Sequence, residues 1–381
     1  MKSILIVTSS DYFVRVFLLP YIKELVDKGW LVHVASAYDG EDIPYIHRHI
    51  DIPVKRTPFS LKNWEAIKIL SHEIETTQYN IVHCHTPVGA FIGRLAARNA
   101  RRLYGTKVIY TAHGFHFYDG APLLSWLLYY PAERLLSKYT DAIITINRED
   151  AERVERHFSN IRKRYFLLGV GYDEGRIKPD KSHIDVLRKE LNITSDDFVL
   201  IYIANLIAGK NHDFLLSCMQ RLVKEIPCCK LLLCGDGDMR QHIADRVEML
   251  HLQQHVIFAG FHWSIGDYMN MANVAVSASK REGLPLSIIE EMYSGLPVVA
   301  TRIRGIKDLI DDGVNGLLYE VDDKDGFCKH IISLYKNEQM RQSLKEREID
   351  GIEKYSAQQI VPQMMAIYNE MLNARDNSQE E

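Results

Sequence analysis

Short apolar runs separated by stretches of helical period recur along nearly the whole chain, and this alternation constrains the fold more than any other feature. Buried parallel strands covered by helices produce that pattern. In the first half the runs lie at residues 4–8, 31–35, 81–85, 108–111 and 142–145, with helical periods near 14–28, 64–76, 88–102 and 148–157. The text then turns polar, from Gly169 to about Asp197, and reads as a linker. A second series follows, with runs at 199–203, 230–234, 256–258, 274–277 and 298–300 and helical periods at 213–225 and 239–250. A chain of 381 residues exceeds one ordinary domain. The expectation is an α/β protein with two tandem Rossmann-like domains, residues 1–170 and 198–355, joined by a linker at 171–197.

Three further helical periods, near 324–336, 338–351 and 356–373, close the chain, the last with Ser356 as its N-cap. Residues 375–381 are polar and read as a flexible tail. With 46% hydrophobic and 25% charged residues the composition is that of a soluble globular protein. The opening apolar run is too short for a signal peptide, and no apolar run reaches 18 residues. A cytoplasmic location is expected. The six cysteines show no zinc or C-x-x-C spacing and read as free thiols. Net charge is −4, split as +5 over residues 1–170 and −9 over the rest. No dense basic stripe speaks for nucleic acid; the mildly basic first half suits an anionic membrane surface or a phosphorylated acceptor better.

Residues 280–301 carry the most chemistry. They place Glu282 on a loop, open a helix at Leu284-Pro285, set Glu290 inside it, end it at Gly295 and enter a buried strand at Pro297. The start of such a helix offers bare N–H groups and the positive end of its dipole, which suits a diphosphate. Glu290 lies about five residues in, roughly 7 Å along the axis, where ribose hydroxyls of a nucleotide would fall. Glu282 would face the group beyond the phosphates.

These residues resemble the E-x7-E motif of the retaining family 4 glycosyltransferases, and other motifs extend the resemblance over nearly the whole chain. The resemblance implies the GT-B fold, with a cleft between the two domains and a C-terminal helix (356–374) crossing back to the first. It assigns Glu282, with Gly283, Leu284 and Pro285, to the donor sugar, Glu290 to the ribose, and Leu286 and Ser287 to the donor diphosphate. The stretch from Tyr202 to His212 is similar to the family's Gly-Arg-Leu followed by Lys-Gly, whose cations neutralise the leaving diphosphate. Lys210 matches the lysine, but Asn205 stands where arginine is usual; an amide can donate a hydrogen bond without supplying charge. Gly260 and Phe261, after the next strand, resemble the loop against the nucleobase.

In parallel sheets, ligands sit beyond the carboxyl ends of the strands. Three loops of the first half therefore matter: Ser9-Ser10-Asp11-Tyr12, His85-Thr86-Pro87 and the segment around His113-Gly114. The family carries a histidine at the place of His113 that touches the donor sugar near the reacting carbon. The opening loop lacks the family's commoner paired glycines, which gives Ser10, Asp11, Tyr12 and His85 an acceptor-facing role. Gly235-Asp236-Gly237-Asp238 reads as a tight turn beside the base rather than a metal-binding pair, and no metal or other cofactor is expected. Around Trp126 and the Tyr129-Tyr130 pair, leucines with Arg94, Arg98, Arg101 and Arg102 suit a helix on a membrane face. Packing of that helix on its own domain is an equally good reading. Gly89-x-x-x-Gly93 reads as close packing of a helix on the sheet.

The function these features imply is retaining transfer of a sugar from a nucleotide donor, UDP-linked by expectation, to a lipid-linked glycan in surface polysaccharide synthesis at the inner membrane face. Two rivals share the architecture: a UDP-sugar 2-epimerase, and a non-catalytic nucleotide-binding partner in a polysaccharide assembly complex.

Overall fold

The apolar runs become two parallel sheets, one in each of the two units into which the chain divides: Met1–Gly171 joined by the last helix, and Tyr172–Ser356. A computed structural model describes residues 1–55, 60–349 and 351–373. The tail expected to be flexible, 375–381, lies outside the described residues, as does residue 374 at the end of the last helix.

The first sheet comprises β1 (Ser3–Val7), β2 (Leu31–Ser36), β3 (Arg48–Asp51), β4 (Ile81–His85), β5 (Lys107–Ala112), β6 (Ala142–Thr145) and β7 (Lys163–Phe166), in the order β3-β2-β1-β4-β5-β6-β7. The second comprises β8 (Phe198–Ile203), β9 (Cys229–Cys234), β10 (Val256–Gly260), β11 (Val274–Ser277), β12 (Val298–Thr301) and β13 (Leu317–Tyr319), in the order β10-β9-β8-β11-β12-β13. Each chain path therefore starts mid-sheet, winds one way, then returns to wind the other. This creates a switch point between β1 and β4 in one unit and between β8 and β11 in the other, where loops leave the sheet in opposite directions and open a crevice.

Central strands are buried on both faces: every residue of β1, β4, β11 and β12 is buried. Helices cover them closely. In the helix Pro87–Ala96, a Cβ on Gly89 would lie 2.7 Å from Thr8 Cα, and one on Gly93 2.6 Å from Cys84 Sγ. The two glycines thus let that helix lie directly on β1 and β4.

The last helix, Ala357–Asn373, packs within the first unit against the helix Leu19–Asp27. Its buried Ile360, Met364, Ile367 and Met371 each contribute roughly 1.5–3 kcal/mol of apolar burial. Tyr368 adds a polar anchor by hydrogen bonding through its hydroxyl to His83 Nδ1 at 2.7 Å.

Several features differ from the sequence-based expectation. Residues 171–197, read as a linker, belong almost wholly to the second unit and carry the helices Glu174–Ile177 and Lys181–Glu190, capped by Asp173 and Asp180. The helical period at 14–28 is two helices, Asp11–Phe17 and Leu19–Asp27, the second with Pro20 in its first turn. That at 88–102 also divides, into Pro87–Ala96 and Arg98–Leu103. Strands β3, β7 and β13 join the sheets at their edges.

Candidate active site

In the second unit, the switch point between β8 and β11 joins two loops. After β8 the chain makes a short turn, Ala208–Lys210; after β11 it runs through residues 278–285 to the helix Leu286–Tyr293. The backbone N–H of Lys280 donates to Gly209 O at 3.0 Å. The Tyr202 hydroxyl donates to Lys210 O at 2.9 Å and is hydrogen-bonded to Ser279 Oγ at 3.1 Å. Arg304 Nε donates to Glu282 O at 3.2 Å. These ties set the two backbones so that Lys210 Nζ donates to Glu282 Oε1. Burial alone would lower the pKa of the Lys210 ammonium, but Glu282 and Tyr202 outweigh it and the pKa is raised. A cation kept charged in a part-buried crevice is available to an arriving anion.

The loop carrying Gly283, Leu284 and Pro285 is held from behind. Gly305 has φ +77°, and a Cβ there would fall 2.0 Å from Gly283 O, so only glycine lets the chain pass. Beyond it, Pro285 is the N-cap residue of Leu286–Tyr293 and supplies no side-chain hydrogen bond to the helix start. The N–H groups of Leu286 and Ser287 stand at that start, where an anion is favoured. Gly295, at φ +69°, terminates the helix.

Glu290 is 1% exposed, and its Oε1 accepts no hydrogen bond among the described residues. The cation nearest in charge contact is Arg176 Nη1, 3.7 Å away. Burial raises the Glu290 pKa to about 7; Arg176 works against that rise and Asp173 adds to it. Each glutamate thus has its own basic companion, Lys210 for Glu282 and Arg176 for Glu290.

The neighbouring loops lie at the same edge of the sheet. A Cβ on Gly235 would meet Ala204 O at 2.0 Å, and one on Gly237 would meet Leu206 O at 2.6 Å. Leu206 N donates to Asp236 O and Met239 N to Leu206 O, both at 2.9 Å. The segment holding Asn205, itself exposed, is thereby strapped to the turn after β9. Asp236 Oδ1 accepts from Gly237 N at 2.8 Å, a turn role. Gly260, at φ +85°, accepts from Gly235 N at 2.8 Å, and the Phe261 ring meets Trp263 edge-on at 5.0 Å.

In the first unit, Ser9 N donates to Thr86 Oγ1 at 3.1 Å, joining the loops after β1 and β4. His85 closes β4, and its Nδ1 lies 3.0 Å from His113 Nε2, so one imidazole donates and the other accepts. Half-buried His113 stands beside Gly114, whose φ is +117°, and meets the Phe13 ring edge-on at 4.9 Å. Its loop is fastened by Phe115 N donating to Asp150 Oδ2 and Arg153 Nη1 donating to Phe117 O, each at 3.0 Å. Behind the pair, His83 bonds Thr111 Oγ1 at 2.8 Å and stacks near His85 at 4.1 Å between centroids. Burial lowers the pKa of His83 to about 3, of His113 to about 4, and of His85 well below its ordinary value. All three are neutral at pH 7.

Ser10, Asp11 and Tyr12 do not share one role. Ser10 caps the helix Asp11–Phe17 by accepting from Phe13 N. The carboxylate of Asp11, expected to face an acceptor, is fully buried: it accepts from Ser36 Oγ and from Asp39 N at 3.3 Å, and pairs with His49 Nε2 at 3.0 Å. Tyr12 is partly exposed. Arg94, grouped by sequence with a membrane-facing set, is 1% exposed and donates to Glu133 Oε2 at 2.8 Å. Sequence reasoning passed over Arg176, Tyr202, Ser279 and Arg304. Arg304 alone left a signal, because it sits beside the glycine that passes the Gly283 carbonyl.

The model of "Glycosyltransferase Family 4" matches residues 14–174, and that of "Glycosyl transferases group 1" matches residues 183–350. The chain is 39% identical to a Bacillus subtilis (strain 168) protein named as the glycosyltransferase EpsD, over 97% of this chain and 96% of that one. It is 27% identical to the capsular polysaccharide biosynthesis glycosyltransferase CapM of Staphylococcus aureus, over 92% and 93% of the two chains. To the Escherichia coli UDP-Gal:alpha-D-GlcNAc-diphosphoundecaprenol alpha-1,3-galactosyltransferase it is 25% identical, over 71% and 70%. The fold is that of Anabaena HepE, solved with UDP and glucose, at a TM-score of 0.81 and 18% identity, covering 97% and 99%. The chain belongs to the family 4 glycosyltransferases of the GT-B fold, and is a glycosyltransferase of polysaccharide biosynthesis.

Proposed function

We propose that this enzyme transfers a sugar from a UDP-sugar, with retention at the anomeric carbon, to a sugar carried on a membrane lipid diphosphate. The observation that carries the reading is the Lys210–Glu282 pair one loop ahead of the helix that bears Glu290. Three chemistries come in the order in which a nucleotide-sugar presents them: a carboxylate for sugar hydroxyls, a cation and helix start for phosphates, and a buried carboxylate for ribose hydroxyls. The UDP part is supported by the E. coli relative, whose name specifies a UDP-sugar donor and a diphosphoundecaprenol-linked acceptor.

In this reading the bond from C1 to the diphosphate oxygen breaks with its electron pair leaving on UDP. Lys210, the Asn205 amide and the N–H groups of Leu286 and Ser287 meet the developing charge. Groups preorganised towards a leaving anion typically contribute several kcal/mol. Glu282 with the loop Gly283, Leu284 and Pro285 holds the sugar, and the base rests at Gly260 and Phe261. The acceptor hydroxyl forms the new bond on the same face, and its proton passes to the departing phosphate oxygen. Ser10 and Tyr12 are left for the acceptor side, whereas His85, expected there, is buried with its Nδ1 against His113. We further propose that no metal takes part, since Lys210 and the helix start supply positive charge; turnover that persists in EDTA is the expected result.

The lipid partner is supported by the helix Leu123–Leu136. Leu123, Leu124, Leu127, Leu128 and Leu135 are exposed along it, while its acid, Glu133, is turned inward onto Arg94. No helix among the described residues is long and apolar enough to cross a membrane, so contact would be peripheral. Binding to vesicles containing anionic lipid should fall when Leu124 and Leu127 are changed to Glu. The function itself is tested by supplying UDP-sugars with a lipid-diphosphate-linked acceptor. Glycosylated acceptor with the α anomer from an α-linked donor is expected; interconversion of the UDP-sugar without acceptor would point to an epimerase.

A further inference from the structure

We propose that Arg176 is a positioning residue for Glu290: it stands opposite this carboxylate at a distance that favours its charged form through space and leaves the acceptor oxygen open to two ribose hydroxyls. The inference rests on the nucleotide reading above. The arrangement of the two side chains is one that ordinary ion pairing would not leave.

A buried glutamate at 1% exposure would be expected to accept hydrogen bonds from its cation. Here the guanidinium stops at 3.7 Å, and both Glu290 Oε1 and Arg176 Nε lack a hydrogen-bond partner among the described residues. An arginine bonded directly would occupy the lone pairs that a ligand needs. One held slightly back favours the charged carboxylate through space while leaving those lone pairs open. The position of Arg176 is itself built in. It lies in the helix Glu174–Ile177, capped by Asp173, and its carbonyl accepts from Ile265 N at 3.2 Å and Ser264 Oγ at 3.3 Å. These bonds fasten the short helix to the segment after β10.

The other charged groups nearby do not substitute for it. Asp173 opposes ionisation of Glu290. Glu291, the next residue on the same helix, is another acid. From the helix Glu338–Ile349, Lys345 reaches Gly295, past the far end of Leu286–Tyr293. From the turn Ile352–Tyr355, Glu353 bears on Tyr293. Strands β11 and β12 present no titratable side chain.

The test is the affinity of UDP for the full-length protein between pH 6 and 9.5, in wild type and in Arg176→Met, Arg176→Lys and Glu290→Gln. UDP ionises in part of this range, so the readout is the displacement between variants. Removing the cation should move the rise in affinity upward by about one pH unit or more. That corresponds to about a fivefold loss at pH 7 that closes by pH 9 to 9.5, and Arg176→Lys should restore most of it. Arg176→Met weakened equally at every pH, or following the wild-type curve, overturns the inference while loss of binding in Glu290→Gln keeps the nucleotide reading. Glu290→Gln binding UDP as tightly as wild type overturns both.

Discussion

The first unit gathers uncharged imidazoles at the ends of β4 and β5, whereas the second gathers ions at the ends of β8 and β11. His83, His85 and His113 are held neutral by burial, with neighbouring imidazoles adding to the effect at His83 and His85, and their rings hydrogen-bond to one another, to Thr111 and to Tyr368. Lys210, Glu282, Arg176 and Glu290 are part-buried or buried but stay near partners of opposite charge. Both units meet the same cost, that of removing titratable groups from water, on the same sheet topology. Neutral rings suit contact with hydroxyls and with a carbon gaining positive character, since they bring no charge of their own. Ions suit a diphosphate. The chemistry that each unit can offer therefore follows from how it deals with burial.

The sharpest way to break this comparison is Glu282→Ala, which removes the carboxylate proposed to hold the sugar and leaves Lys210 without its partner. Transfer should fall about 10²- to 10³-fold, measured as UDP release in the presence of acceptor; unaltered transfer contradicts the assignment. Next comes stability against pH, where the two units carry opposite signs. Glu290 has its pKa raised to about 7, so its contribution is fully present below the unfolded value near 4.5 and is lost as pH rises through 7. Glu290→Gln should therefore melt higher than wild type at pH 8, by on the order of 3 kcal/mol, and alike at pH 4.5. The histidines have lowered values, about 3 for His83 and about 4 for His113. Their contribution is complete above the unfolded value near 6.5 and is lost as pH falls through 4 and 3. His113→Gln should flatten that acid loss by up to about 1.4 kcal/mol per pH unit, seen in melting curves between pH 6.5 and 4. His212 of the second unit is also lowered, to about 4, so the variant is the readout and not the slope of the wild type. The smallest effect is Asn205→Arg. Restoring a charge at this exposed position should tighten UDP by about two- to fivefold, and the gain should shrink with added salt.

What could be read beforehand divides along similar lines. Central strands were legible because burial on both faces demands unbroken apolar runs, as in Ile4-Leu5-Ile6-Val7. The edge strands of the first sheet were not: β3 reads Arg-His-Ile-Asp and β7 Lys-Arg-Tyr-Phe, with mostly exposed side chains that need no apolar pattern. Polarity also disguised the helices at 174–190, although their caps, Asp173 and Asp180, were in view. In the candidate site, the placement of Glu282 on a loop and Glu290 in a helix was legible because helix punctuation and a following strand frame them, whereas Lys210 was singled out only through the family resemblance. The burial of Asp11 was not, since its partners Ser36, Asp39 and His49 come from elements 25 to 38 residues away. Arg176 is separated from Glu290 by most of the second unit, and no local pattern links them.

The central claim is that one nucleotide lies along the segment from Glu282 to Glu290. A crystal structure of the protein with UDP tests it most directly. The account predicts the Glu290 carboxylate about 3 Å from ribose hydroxyls and the diphosphate at the N–H groups of Leu286 and Ser287 beside Lys210. UDP bound elsewhere, with Glu290 Oε1 still without a hydrogen-bond partner, would contradict it.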